Sequence, residues 1–266
     1  MRHWRMLLLH FEHTFEYRSR NFVWFLVELV NPLLILLYWY WAIGDRSGTS
    51  LPISASVITA YYFWMIFAGA ILSVHIEEDV AVLDIQEGGL SRYLLRPFPY
   101  FLLKFYEELP WRLIQGIFGL IIIAGFAVIF RIFDGITPLT WGRILLIIET
   151  CIAGYTISFL FKMIVGLSAF WVTDYQGLHQ FTEVVMLAFA GFLVPLDIMP
   201  EGFRTLANIL PFPYMIYYPV MAMIGRIDSQ ALPPVIIGQM VWLIILGVVS
   251  LRIWKAGTRL YAGVGQ

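Results

Sequence analysis

Charge is scarce in this chain: only 13% of its 266 residues are Asp, Glu, Lys or Arg, about half of what soluble domains carry. With 60% hydrophobic residues beside it, that shortage excludes an ordinary soluble fold. The net charge is −1, so there is no basic excess with which to bind nucleic acid. Cys151 is the only cysteine, which excludes an internal disulfide, and its place in an apolar run suits packing rather than thiol chemistry. No G-x-x-x-x-G-K-[ST] occurs, so the chain lacks the loop that would hold ATP. H-E-x-x-H and G-x-S-x-G are missing as well. An intramembrane protease or lipid-modifying enzyme is left without its machinery, and the chain is expected not to be an enzyme or to hold a metal. The opening "MRHWRMLLLHFEHTFEYRSR" is interrupted by charge too often for a signal peptide, so the mature protein is expected to begin near Met1.

What is present is apolar length. A helix rises about 1.5 Å per residue, so about 20 apolar residues cross a bilayer. Six runs qualify, at residues 22–43, 54–75, 112–131, 142–169, 182–199 and 236–254. The fourth exceeds what a bilayer needs and should tilt or project. Lys and Arg set the orientation. One side carries Arg2, Arg5, Arg18, Arg20, Arg92, Arg96, Lys104, Arg112, Lys162, Arg252, Lys255 and Arg259. The other carries Arg46, Arg131, Arg143, Arg204 and Arg226. Both termini are therefore expected in the cytoplasm. The fold class expected is an all-α integral membrane protein with six transmembrane helices, one domain over residues 1–266.

Residues 1–20 place Trp4, Leu7, Leu8, Phe11 and Phe15 on one helical face, the pattern of a helix lying in the membrane interface. His3, His10 and His13 share another face, which needs no metal to explain it. The segment 76–110 is a cytoplasmic elbow. Ile76, Val80 and Leu83 recur at helical spacing as a continuation of the second span. Gly88 and Gly89 should end that helix, a short "LSRYLLR" helix follows, and Pro97 and Pro99 stop it. Pro110 should open the third span. Either this is a solvated connection, or charge of both signs beside exposed Leu90, Tyr93 and Leu94 makes it a docking element.

Residues 200–219 are too short and too proline-broken to span, and read as a half-helix re-entering from the outer side. Phe203, Leu206, Ile209 and Leu210 fall on one face of it. Phe212, Tyr214, Tyr217 and Tyr218 suit an interfacial aromatic belt or, alternatively, an outer gate. "PFPY" occurs at 97–100 and again at 211–214, a recurring turn rather than a repeat. Glu28, with Asn31 and a kink expected at Pro32, and Glu149 are ionisable or polar groups within spans. Each either lines a pathway or meets a partner. Lys162 is expected to snorkel to the headgroups. No acid or base recurs at the midplane of several spans, which speaks against an ion-coupled transporter. That class and a non-transporting scaffold or sensor are the competing readings.

The run "DIQEGGLSRYLLRPFPYFLLKFYEELPW" resembles the segment after the second span in permease subunits of type-2 ABC transporters. It is most similar to the bacterial branch whose ATPase is a separate chain. "GFLVPLDIMPEGFRTLANILPFPYMIYYP" is similar to that family's outer region, where a proline, here Pro195, ends the fifth span, and "RIWKAGTRLYAGVGQ" resembles its C-terminus. The resemblance covers nearly the whole chain. It implies a half-subunit of an exporter in the bacterial plasma membrane, moving an amphipathic or hydrophobic substrate. ATP and Mg would sit on a separate ATPase subunit, and this chain would bind no cofactor. A second permease half, identical or related, and membrane lipid are the other implied partners. It further implies that residues 76–96 contain the coupling helix, with Glu77, Glu78, Asp84, Glu87, Gly88, Gly89, Leu90, Arg92, Tyr93 and Arg96 meeting the ATPase. The first twenty residues would be the connecting helix. Glu28, Asn31, Glu149, Pro195, Phe212 and Tyr214 are candidates for the path or gate.

Overall fold

A chain in hydrocarbon must satisfy its backbone internally, and helices do this within one segment. The computed structural model describes residues 2–44, 55–126, 138–228 and 230–261, and every regular element among them is helical. Arg46 and Arg131, both used for orientation, lie outside the described residues.

Helix α1 (Arg2–Glu16) packs along α5 (Tyr100–Phe126) and is followed by α2 (Arg18–Gly44). The bend between α1 and α2 is closed by buried Asn21, whose amide donates to the Thr14 carbonyl at 3.2 Å. Gln115 of α5, also buried, donates to the Asn21 carbonyl. Helix α2 runs through Pro32 without ending. Helix α3 (Ala55–Leu72) is apolar all round, the mark of a core helix. Its Ile58, Tyr61, Tyr62, Phe63 and Met65 are buried, and α2, α5 and α10 (Tyr217–Ile224) enclose it. Helices α6 (Trp141–Leu167) and α11 (Leu232–Leu260) form the most extensive helix pair.

Among the described residues, four stretches are long and apolar enough to cross a membrane: Ser19–Trp39, Tyr100–Phe126, Trp141–Phe170 and Leu232–Leu260. Ser56–Leu72 is apolar but shorter. The run at 182–199 is not one helix. Helix α7 (Tyr175–Phe189) stops before Gly191, which takes φ +88°, and Pro195 and a single 3-10 turn at Leu196–Ile198 follow. Backbone groups freed there are taken up by side chains: Tyr61 donates to the Gly191 carbonyl at 2.8 Å and Tyr62 to that of Leu193 at 2.9 Å.

Three local expectations change. The second span does not continue into the elbow. Residues 73–76 are non-helical, and the helix that resumes at residue 77 widens to a π-helix over Asp79–Gln86, closed by Gly88 at φ +83°. Pro110 does not open a helix but lies inside α5, which starts at Tyr100 immediately after Pro99. In the 200–219 segment, α8 (Glu201–Ile209) exposes Phe203, Leu206 and Ile209 as one face. The aromatics after it form no belt. The chain returns inward as α9 (Phe212–Met215) and α10, packed on α6, and Phe212, Tyr214 and Tyr217 are buried there. Arg143 caps the end of α10, donating to the carbonyls of Ala222 and Met223.

Candidate functional site

Charged side chains in an apolar bundle must meet one another, since an unpaired buried charge costs several kcal/mol. Here three ion clusters gather at the end of the bundle formed by α1 and residues 73–99, named below the 73–99 segment.

The first cluster fixes the lower part of that segment to α6 and α7. Lys162 of α6 is 1% exposed, and its ammonium donates to Glu77 at 2.5 Å and also to Glu183 of α7. It does not snorkel, because its partners are inside the protein. The approach depends on Gly166, one turn along α6: a Cβ there would meet the Glu77 carbonyl at 2.8 Å and Val80 at 2.8 Å. His179 Nδ1 lies 3.2 Å from the same Glu77 oxygen. Burial alone would raise the Glu77 carboxyl, but His179 and Lys162 outweigh it and hold it down at about 2. The short contact with Glu77 in turn raises His179. Glu77, His179 and Glu183 present ligand atoms within 4.8 Å of one another. The ammonium of Lys162 already bonds both carboxylates, so this group carries its own cation and suits a metal poorly.

The second cluster ties the upper part of the segment to α5. Asp84 is fully buried and accepts from Lys104 at 2.7 Å and from the Tyr100 hydroxyl at 2.7 Å. Arg92 reaches it from the surface at 3.5 Å. Tyr93 stands between, bonded to Glu107 and approached by the Lys104 ammonium. Helix α4 (Leu90–Leu94) carries this tyrosine, and Leu90 beneath it is buried. Below the cluster, Trp254 of α11 stacks on Tyr100 at 4.6 Å and 7°, and Tyr261 meets Ser91 at 3.2 Å. The segment is thus pinned to α5, α6 and α11.

The third cluster joins α2 to α5. Arg112 is buried and donates to Glu108 at 2.6 Å, to Glu28 at 3.5 Å and toward His75 at 2.7 Å.

Two cavities meet at this third cluster. The larger, about 1120 Å³, lies between α1, α2, α5 and the 73–99 segment. Seven carboxylates (Glu28, Glu77, Glu78, Asp79, Asp84, Glu107, Glu108) and five basic side chains (Arg20, Arg92, Arg96, Lys104, Arg112) line it. The smaller, about 160 Å³, lies between α2, α3 and α7. Glu28 and His75 line both.

Of the residues singled out in the sequence, Glu77 and Asp84 are interior anchors, and Leu90 and Tyr93 are buried rather than exposed. Glu78, Glu87, Arg92, Arg96 and Leu94 are exposed, and Gly88 and Gly89 form the turn between π-helix and α4. Glu28 and Asn31 line the smaller cavity together. Glu149, Pro195, Phe212 and Tyr214 line neither cavity; Phe212 packs edge-on against Phe161 of α6, and Tyr214 donates to the Asn208 carbonyl. Both Glu149 oxygens lie buried without a hydrogen-bond partner. His3 turns to Tyr106 at 3.2 Å, and the three N-terminal histidines form no ligand group among the described residues.

Sequence reasoning missed Lys104, Glu108, His179 and Glu183 as members of the clusters. Glu108 and Arg112 carried a signal, being an acid four residues before a base. Lys104 carried a similar one toward Glu107, three residues on, but its pairing with Asp84, and the pairing of His179 with Glu77 and of Glu183 with Lys162, cross separate elements and left none.

A family model described as ABC-2 family transporter protein matches residues 26–265. No curated protein matches the chain significantly.

Proposed function

Because the chain belongs to the ABC-2 family of transporter proteins, we propose that it is the transmembrane half of an ATP-driven exporter in a bacterial plasma membrane. ATP and Mg are held by a separate ATPase subunit, and a second permease half, identical or related, completes the pathway. Both termini and the 73–99 segment face the cytoplasm.

The observation that carries this reading is the way the 73–99 segment is held. Buried ion pairs anchor it from inside, Glu77 to Lys162 and Asp84 to Lys104. Its outer face presents Glu87, Arg92, Arg96, Leu94 and Leu95 to solvent. A surface that must pass force to a bundle needs this combination, rigid attachment below and a mixed apolar and charged face above. The chain has no P-loop of its own, which agrees with ATP being bound elsewhere. Four residues of the expected docking face are interior instead: Glu77 and Asp84 position the surface from within and Leu90 and Tyr93 are buried beneath it, while Glu78, Glu87, Arg92 and Arg96 are offered to the partner.

The test is co-purification of the full chain with the ATPase encoded beside it. Capture of that ATPase is expected, as is a loss of about tenfold in affinity when Glu87→Lys and Arg92→Glu are combined, roughly 1.4 kcal/mol. Absence of any captured ATPase, or capture that ignores the double substitution, would remove the coupling role.

A further inference from the structure

The smaller cavity is polar at one end only. Glu28 and Asn31 come before Ile35 in α2, Ser73 and His75 come after Met65 and Ile66 of α3, and Glu183 comes before Met186 and Phe192. Since α2 and α7 run opposite to α3, all the polar groups collect at the end that opens on the larger cavity. The other end is apolar, lined by Ile35, Met65, Ile66 and Phe192. Ile35 lies two turns beyond Glu28, about 10 Å at helical rise.

The charge balance at the polar end has a sign. No lysine or arginine lines this cavity. Arg112, the cation nearest Glu28, is 2% exposed and lies behind it, shared between Glu28 and Glu108. His75, 3.9 Å from Glu28, adds no charge, because its Nδ1 accepts from the Arg112 guanidinium; two carboxylates to one guanidinium therefore leave this cluster one negative charge in surplus. At the other acid, Glu183, the Lys162 ammonium and a protonated His179 can balance the charge of Glu77 and Glu183. The surplus therefore sits at Glu28, whose side chain is 27% exposed toward the cavities.

We propose that this cavity is a substrate subsite for a small organic cation, with its positive group at Glu28 and an apolar part of about one aromatic ring in the pocket beyond. The size follows from the volume: a cavity of about 150 Å³ lined by apolar side chains accommodates benzene, and this one measures about 160 Å³. Phe25 and Phe192 on its wall add aromatic faces that attract a cation. An anion of the same shape would meet Glu28 and be repelled. This assignment rests on the exporter reading for its role in transport, but the binding itself needs no ATPase.

Calorimetric titration of the full chain in phosphatidylcholine nanodiscs tests it, with empty discs as the blank. Benzyltrimethylammonium is the cationic probe and benzenesulfonate the anionic one. At least tenfold tighter binding of the cation is expected. Glu28→Gln should remove that preference and Glu28→Asp should keep most of it, with thermal unfolding of each variant confirming the fold. Gly69→Leu fills the pocket without altering charge, since the position faces Phe192 at 3.6 Å, and should abolish binding. Equal affinity for the two probes, cation binding that survives Gly69→Leu, or no effect of a folded Glu28→Gln would each overturn the assignment. Loss of cation binding in a chain that still captures its ATPase overturns the subsite alone. Intact binding without a captured ATPase overturns the exporter reading and leaves the subsite standing.

Discussion

Lys162 shows how much a single buried cation can organise. Removing it leaves Glu77 charged in a site that is 1% exposed. Lys162→Met is therefore expected to cost about 3–5 kcal/mol, read as a fall in unfolding temperature in detergent, and adding Glu77→Gln should restore part of it. The pH dependence follows from the same pair of neighbours. Glu77 is held at about 2, below its ordinary 4.5, so its stabilisation is complete above 4.5 and is lost as pH falls toward 2. His179 is raised above its ordinary 6.5, so its contribution is complete below 6.5 and is lost as pH rises through the elevated value. Stability should thus be greatest between 4.5 and 6.5. In an unfolding series against pH, His179→Gln should flatten the alkaline side and also move the acid side toward higher pH, because His179 is one of the groups that hold Glu77 down.

Among the elements, the break after α7 is the most constrained. Gly191 sits in the left-handed region at φ +88°, and a Cβ there would lie 2.5 Å from the Tyr61 hydroxyl. Gly191→Ala should therefore cost about 2–4 kcal/mol, combining left-handed strain with overpacking. Gly142→Ala, in open space on α6, should be neutral or stabilise by up to about 1 kcal/mol. A Gly191→Ala chain as stable as the Gly142→Ala chain would show that the break is slack. This element also marks the limit of sequence reading. Length and hydropathy revealed α2, α5, α6 and α11, because a bilayer demands long apolar helices. They merged α7 with residues 190–199, because an unwound segment whose carbonyls are met by tyrosines from another helix stays as apolar as the helix it replaces. The same holds at the candidate site. The turn at Gly88 was legible from local chemistry. The burial of Leu90, and the pairing of Glu77 and Asp84 with lysines on other helices, depend on contacts that no local pattern encodes.

For the whole molecule, the orientation proposed from Lys and Arg places Glu87 and Arg204 on opposite faces of the membrane. With Cys151 replaced by serine, Glu87→Cys should react with an impermeant maleimide only in inside-out vesicles, and Arg204→Cys only in right-side-out cells. Labelling of both from one face would refute it. The bundle also has an order of assembly built into it. His3 on α1 meets Tyr106 on α5, 103 residues later in the chain. At about 5–20 residues per second, a ribosome needs about 5–20 s to make the second after the first. During that interval α1 lacks α5, its main packing partner, while Trp4, Leu8, Leu9 and Phe15, exposed even in the finished fold, already offer apolar side chains to a lipid surface. The nascent chain therefore waits on the lipid surface, and the bilayer acts as the placeholder that α5 later displaces in part.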